Sequence, residues 1–104
     1  MNNIRRKKIS KLIGELEILN NNYSQEWLNR CIGILEYIKN EEEEAFDNMP
    51  EGLQCSSRGM DAEAAIDNLD EALGYLEEAC DMDDGEERQT NIDMAIDCLE
   101  DATL

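Results

Sequence analysis

The side chains that could do chemistry in this chain of 104 residues are 26 Asp and Glu, four Cys and no His. Paired carboxylates can act as general acid and base, but helices this rich in acids bring pairs together by chance, and no pair stands out. A cysteine nucleophile needs a neighbouring base, usually histidine, and there is none. Cys31, Cys55, Cys80 and Cys98 form no CxxC pair and have no histidine to complete a zinc-ligand set. Cys31, Cys80 and Cys98 lie in or beside apolar stripes and read as small core residues, while Cys55 falls in a loop and reads as the exposed thiol. The segment Asp81-Met82-Asp83-Asp84-Gly85 invites a calcium reading. A calcium loop needs glycine sixth and glutamate twelfth, whereas counting from Asp81 gives glycine fifth and Ile92 twelfth. The segment therefore reads as a turn whose carboxylates favour the start of the next helix. No glycine-rich phosphate loop or dinucleotide fingerprint occurs. The expectation is a protein without catalytic residues, metal or cofactor.

Charge carries more information. Nine Lys and Arg give a net charge of −17, with a pI near 4.1. Residues 1–40 hold seven bases and four acids, whereas residues 41–104 hold Arg58 and Arg88 against 22 acids. A basic head thus precedes a strongly acidic body. A field of one sign steers association with a basic partner. The bases at 5–8 would have to reach phosphates against that field, so no direct nucleic-acid partner is expected.

The elements that carry these charges read as helices. One proline, six glycines and 5% aromatic residues argue against collagen-like and β-sandwich classes. Apolar periodicity places helices at about 3–20, 25–47, 57–80 and 87–102 in a single all-α domain, 1–104. The first two form either one long helix or two with a break near 20–24, where three asparagines precede Ser24, a potential cap. Two shorter helices pack on this N-terminal region as a helical hairpin or small bundle with a coiled-coil-like seam through Ala62, Ile66, Leu69, Leu73, Leu76 and Cys80. An unbroken helix of ~40 residues would run about 60 Å and project beyond its partners. A homodimer is then expected through Ile9, Leu12, Leu16, Trp27, Cys31, Ile34 and Ile38. Residues 65–72 match residues 95–102 at five of eight positions, as a duplicated helix or a shared amphipathic pattern would. No apolar run approaches the ~20 residues of a membrane span, and unpaired thiols fit a reducing cytoplasm.

Residues 41–59, EEEEAFDNMPEGLQCSSRG, lead into the helix AEAAIDNLDEALGYLEEA. Over residues 35–80 the chain resembles a widespread class of small acidic helical-hairpin proteins encoded by phages and mobile elements of Gram-positive bacteria. In that class a run of acids precedes DNxPExLQxSxR, matched here by Asp47, Asn48, Pro50, Glu51, Leu53, Gln54, Ser56 and Arg58. The resemblance implies a genomic setting in a bacterial host cell rather than an activity.

Charge and setting together lead to the expected function. It is that of an acidic protein-binding module that inhibits a basic nucleic-acid-binding host defence protein, as an anti-CRISPR does, through Glu41, Glu42, Glu43, Glu44, Asp47, Asp61, Glu63, Asp67, Asp70 and Glu71. The alternative is a homodimeric coiled-coil structural or regulatory protein acting through its apolar stripes. A third reading is a sponge for a small nucleotide signal in an oligomer cleft lined by Arg5, Arg6, Lys7, Lys8 and the asparagines at 20–22.

Overall fold

The asparagine run at 20–22 ends the first helix, and Ser24 starts the next by accepting a hydrogen bond from the Trp27 amide at 3.4 Å. The computed structural model, which describes residues 1–104, has five helices and no strands. They are α1 (Asn3–Asn21), α2 (Gln25–Asp47), α3 (Glu51–Gln54), α4 (Ser57–Cys80) and α5 (Gly85–Ala102). The N-terminal region is therefore two helices folded back on each other, with no long projecting rod. Asp84 caps α5 by accepting from the amides of Glu86 (2.8 Å) and Glu87 (3.5 Å), so the acidic turn before α5 serves as a helix start.

Contacts between side chains set the helix directions. Arg5 and Lys8 meet Glu42 and Glu41, Lys39 meets Asp70, Asn91 meets Glu78, and Asn20 meets Asp93. Each pairing is antiparallel, and the four long helices close a ring in the order α1, α2, α4, α5. The bundle measures 47 × 20 × 19 Å. Its core combines Ile9, Leu12, Leu16 and Leu19 of α1, Leu28, Cys31, Leu35 and Ile38 of α2, and the buried faces of α4 and α5.

The α4 seam differs from the expected one. It runs through Ala62, Ala65, Leu69, Ala72, Leu76 and Ala79, with Leu73 beside it, while Ile66 and Cys80 are only half-buried. The 4-3 spacing of the larger residues points to Ile66 and Cys80, whereas close helix packing buries the small side chains of Ala65, Ala72 and Ala79 instead. The equivalent α5 positions, Ile92, Ala95, Leu99 and Ala102, are also buried. The internal similarity thus superposes one core stripe on the other.

The connection between the two halves contains a helix not expected from sequence, α3. Pro50 begins it, and Gln54 donates from Nε2 to the Phe46 carbonyl at 3.0 Å, satisfying one of the C-terminal acceptors of α2. Gly59 in α4 is buried, and a Cβ there would collide with the Gln54 backbone. Glycine is required at this close approach. Ser56 starts α4 without a side-chain cap, since its hydroxyl donates to the Leu53 carbonyl instead.

Candidate functional site: an acidic groove between α2 and α4

Four of the ten acidic residues singled out from sequence meet around a single groove. Where the end of α2 passes the start of α4, Glu43, Phe46 and Asp47 face Glu63, Ile66 and Asp67 across a hollow of about 430 Å³. Phe46 and Ile66 supply apolar surface, and four carboxylates surround it. Antiparallel packing brings these residues together, since helical spacing places 43, 46 and 47 on one face of α2 and 63, 66 and 67 on one face of α4. Lys39 borders the acidic side, 2.8 Å from Asp70 and 3.6 Å from Glu43. The Asp70 hydrogen bond, chiefly, pushes the Lys39 ammonium above its ordinary range.

The other six acids are placed elsewhere. Asp70 lies beside the groove on Lys39, whereas Glu71 faces Cys98 of α5. Glu44 and Asp61 are exposed but do not line the groove. Glu41 pairs with Lys8 at 2.9 Å. Glu42 corrects the expectation outright, because it is buried, 2.6 Å from Arg5 Nε and 3.4 Å from the Met1 amine. It continues the core spacing Leu28, Cys31, Leu35, Ile38, and a carboxylate at that position is tolerated because α1 brings cations to it. It offers nothing to a partner.

The expected dimer stripe is corrected in the same way. Ile9, Leu12, Leu16, Cys31 and Ile38 are at most 1% exposed within one chain, so these residues are used by the intramolecular bundle. Trp27 and Ile34 are half-buried and keep some free surface. Within one chain the residues expected to line a nucleotide cleft between copies lie apart. Residues 5–8 and 20–22 lie at opposite ends of the 19-residue α1, and Arg5 and Lys8 are already paired with acids.

The thiols are poor nucleophiles where they are covered. Burial pushes Cys31 up to about 11, helped by Glu15. Burial and neighbouring carboxylates raise Cys80 and Cys98 as well. Cys55 is the exposed thiol. No group of three or more Cys, Asp or Glu is arranged to hold a metal ion, and no helix is long and apolar enough to cross a membrane.

The sequence contained the acids of the groove but not its apolar surface. Nothing in the spacing sets Phe46 apart from Trp27 and Tyr37 on the same helix, and Ile66 reads as part of the α4 seam. Both are half-buried, and the alanine register of α4 sets Ile66 at the edge of the core, where it lines the groove with Phe46. Compared with protein families, with curated proteins and with solved structures, the chain matches none.

Proposed function

We propose that the protein is a non-enzymatic acidic protein-binding module, carried by a phage or mobile element, that occupies a basic nucleic-acid-binding surface of a bacterial defence protein in the host cytoplasm, as an anti-CRISPR does. The observation that carries this reading is the groove of Glu43, Phe46, Asp47, Glu63, Ile66 and Asp67. Apolar surface ringed by carboxylates suits an amphipathic basic segment, in which an aliphatic side chain inserts between flanking Arg or Lys residues. The surrounding field accelerates encounter and disfavours nucleic acid itself. The resemblance over residues 35–80 supplies the phage setting.

A fluorescent helical peptide with a central Leu flanked by Arg tests the reading by anisotropy, at low and high salt. Binding is expected to weaken with salt. Glu63→Lys/Asp67→Lys should lose about tenfold or more, roughly 1.4 kcal/mol. Asp61→Lys/Glu71→Lys changes the net charge equally outside the groove and should lose less. Equal losses for the two pairs would reduce the groove to bulk charge and overturn the reading. The second arm is displacement of DNA from a basic defence nuclease captured from a Gram-positive host, which the first pair should abolish.

A further inference from the structure

We infer that the outer face of the α1/α2 hairpin is where a second copy of this chain docks, two-fold related and with its α2 antiparallel to the first, through Gly33, Ile34 and Tyr37. This face is separate from the acidic groove. Of the residues from which a dimer is expected by sequence it keeps Ile34, with Ile38 at the floor of the hollow, and leaves the others to the core.

Three observations converge. The first is apolar surface: Lys8, Arg30, Gly33, Ile34, Tyr37 and Ile38 line a hollow of about 530 Å³. Tyr37 is 61% exposed, and the same hairpin also exposes Ile4 and Ile18. Helical spacing sets Ile4, Lys8, Lys11, Glu15 and Ile18 along the α1 side of this face, and Lys8 stands 5.2 Å from the Tyr37 ring centroid.

The second is Gly33, in the interior of a 23-residue helix and exposed. Glycine there weakens a helix relative to alanine. Nothing lies within 4 Å of where its Cβ would stand, as is also true of Gly14 in α1 and Gly74 in α4, so nothing in this chain requires glycine there; Gly33 is the one of the three that lines this hollow. A second backbone passing close to α2 would require it.

The third is charge, which selects a second copy as the occupant. Residues 57–104 hold two bases against sixteen acids, so copies meeting through α4 and α5 repel. On the α1/α2 face Lys8, Lys11 and Arg30 are interspersed with Glu15 and Glu41. A two-fold axis at Ile34 sets Arg30 of each copy against Tyr37 and Glu41 of the other, so the face is complementary to itself. Arg88 over Tyr23, at 3.7 Å, shows the same pairing of guanidinium and ring within this chain.

Light scattering and sedimentation equilibrium from about 1 to 200 µM test the inference. The expected mass is about twice 11.9 kDa. Association should strengthen from low to moderate salt, because screening relieves repulsion between two strongly negative molecules. Tyr37→Glu should give a monomer with unchanged helical circular dichroism. Gly33→Ala should move two readouts in opposite directions, raising the melting temperature of the dilute monomer while weakening association about tenfold or more. Met94→Glu, on an exposed position of α5, should leave association unchanged. A monomer at the highest concentration in moderate salt would overturn the inference and leave the face to a different partner. So would a dimer indifferent to both Tyr37→Glu and Gly33→Ala.

Discussion

The α1/α2 hairpin is joined by side chains that reach across it, whereas in the α4/α5 hairpin the backbones themselves run close together. Across the first, large aliphatic residues fill the seam, and Arg5 and Lys8 pair with Glu42 and Glu41. The second places Ala72, Ala79, Ala95 and Ala102 in the core, and its two helices approach each other more extensively than any other pair. Charge divides in the same way. Bases at the start of α1 and acids at the end of α2 each oppose their own helix dipole, yet antiparallel pairing sets each against the other. Electrostatics therefore helps choose the partner and direction of α1. The second hairpin has almost no cations, and close packing of small side chains orders it while its acids face water.

The largest expected effect breaks the first hairpin at its buried charge. Glu42→Ala leaves Arg5 and the Met1 amine without their carboxylate and should destabilise by about 3 kcal/mol in urea unfolding, whereas Glu44→Ala, two residues away and exposed, should stay within about 0.5 kcal/mol. Similar values for the two would mean that the ion pair does not hold α1 in place.

The second hairpin should be sensitive to added volume instead. Ala95→Leu inserts three carbons where the helix backbones run close and should cost about 1–3 kcal/mol, read from the chemical denaturation midpoint. Tolerance of the larger side chain would show that the alanine seam has slack.

The smallest expected effect appears at alkaline pH. Cys31 in α2 is raised from 9.0 to about 11, so the unfolded thiol ionises first. The stabilisation is complete below pH 9 and is lost as pH rises toward 11. Lys39, also raised, acts in the same direction. The urea midpoint should fall over that interval, and Cys31→Ala should flatten the fall more than Cys98→Ala in α5. Equal flattening would place the two thiols in equivalent surroundings and erase this difference between the hairpins.

Much of this architecture was legible in the sequence because its signals are local. Ile9, Leu12, Leu16 and Leu19 mark one face without reference to any other segment, and the asparagines with Ser24 mark a helix end and a helix start. What was missed depends on partners distant in sequence. The burial of Glu42 is decided by Arg5, 37 residues away, although the spacing from Leu28 through Ile38 already points to position 42. The alanine seam of α4 becomes visible only against α5, since alanine favours a helix whether or not it faces another one. The groove was half legible, because acids can be counted from sequence while the half-buried positions of Phe46 and Ile66 are a result of packing.

The ring of helices also has consequences for how the chain finds its shape. Three of its four seams join helices that follow one another along the chain, with α3 within the α2/α4 connection. Only the α1/α5 seam must bring together distant segments, held by the Asn20 amide on Asp93 and by the Gln89 amide on the Asn20 carbonyl. Mostly local pairing of this kind belongs to topologies that fold in microseconds to milliseconds. Each hairpin can form on its own neighbours before the two are joined, which leaves closure of the α1/α5 seam as the step with the greatest loss of chain entropy. A chain with so many like charges then assembles most of its core before its two ends have to meet.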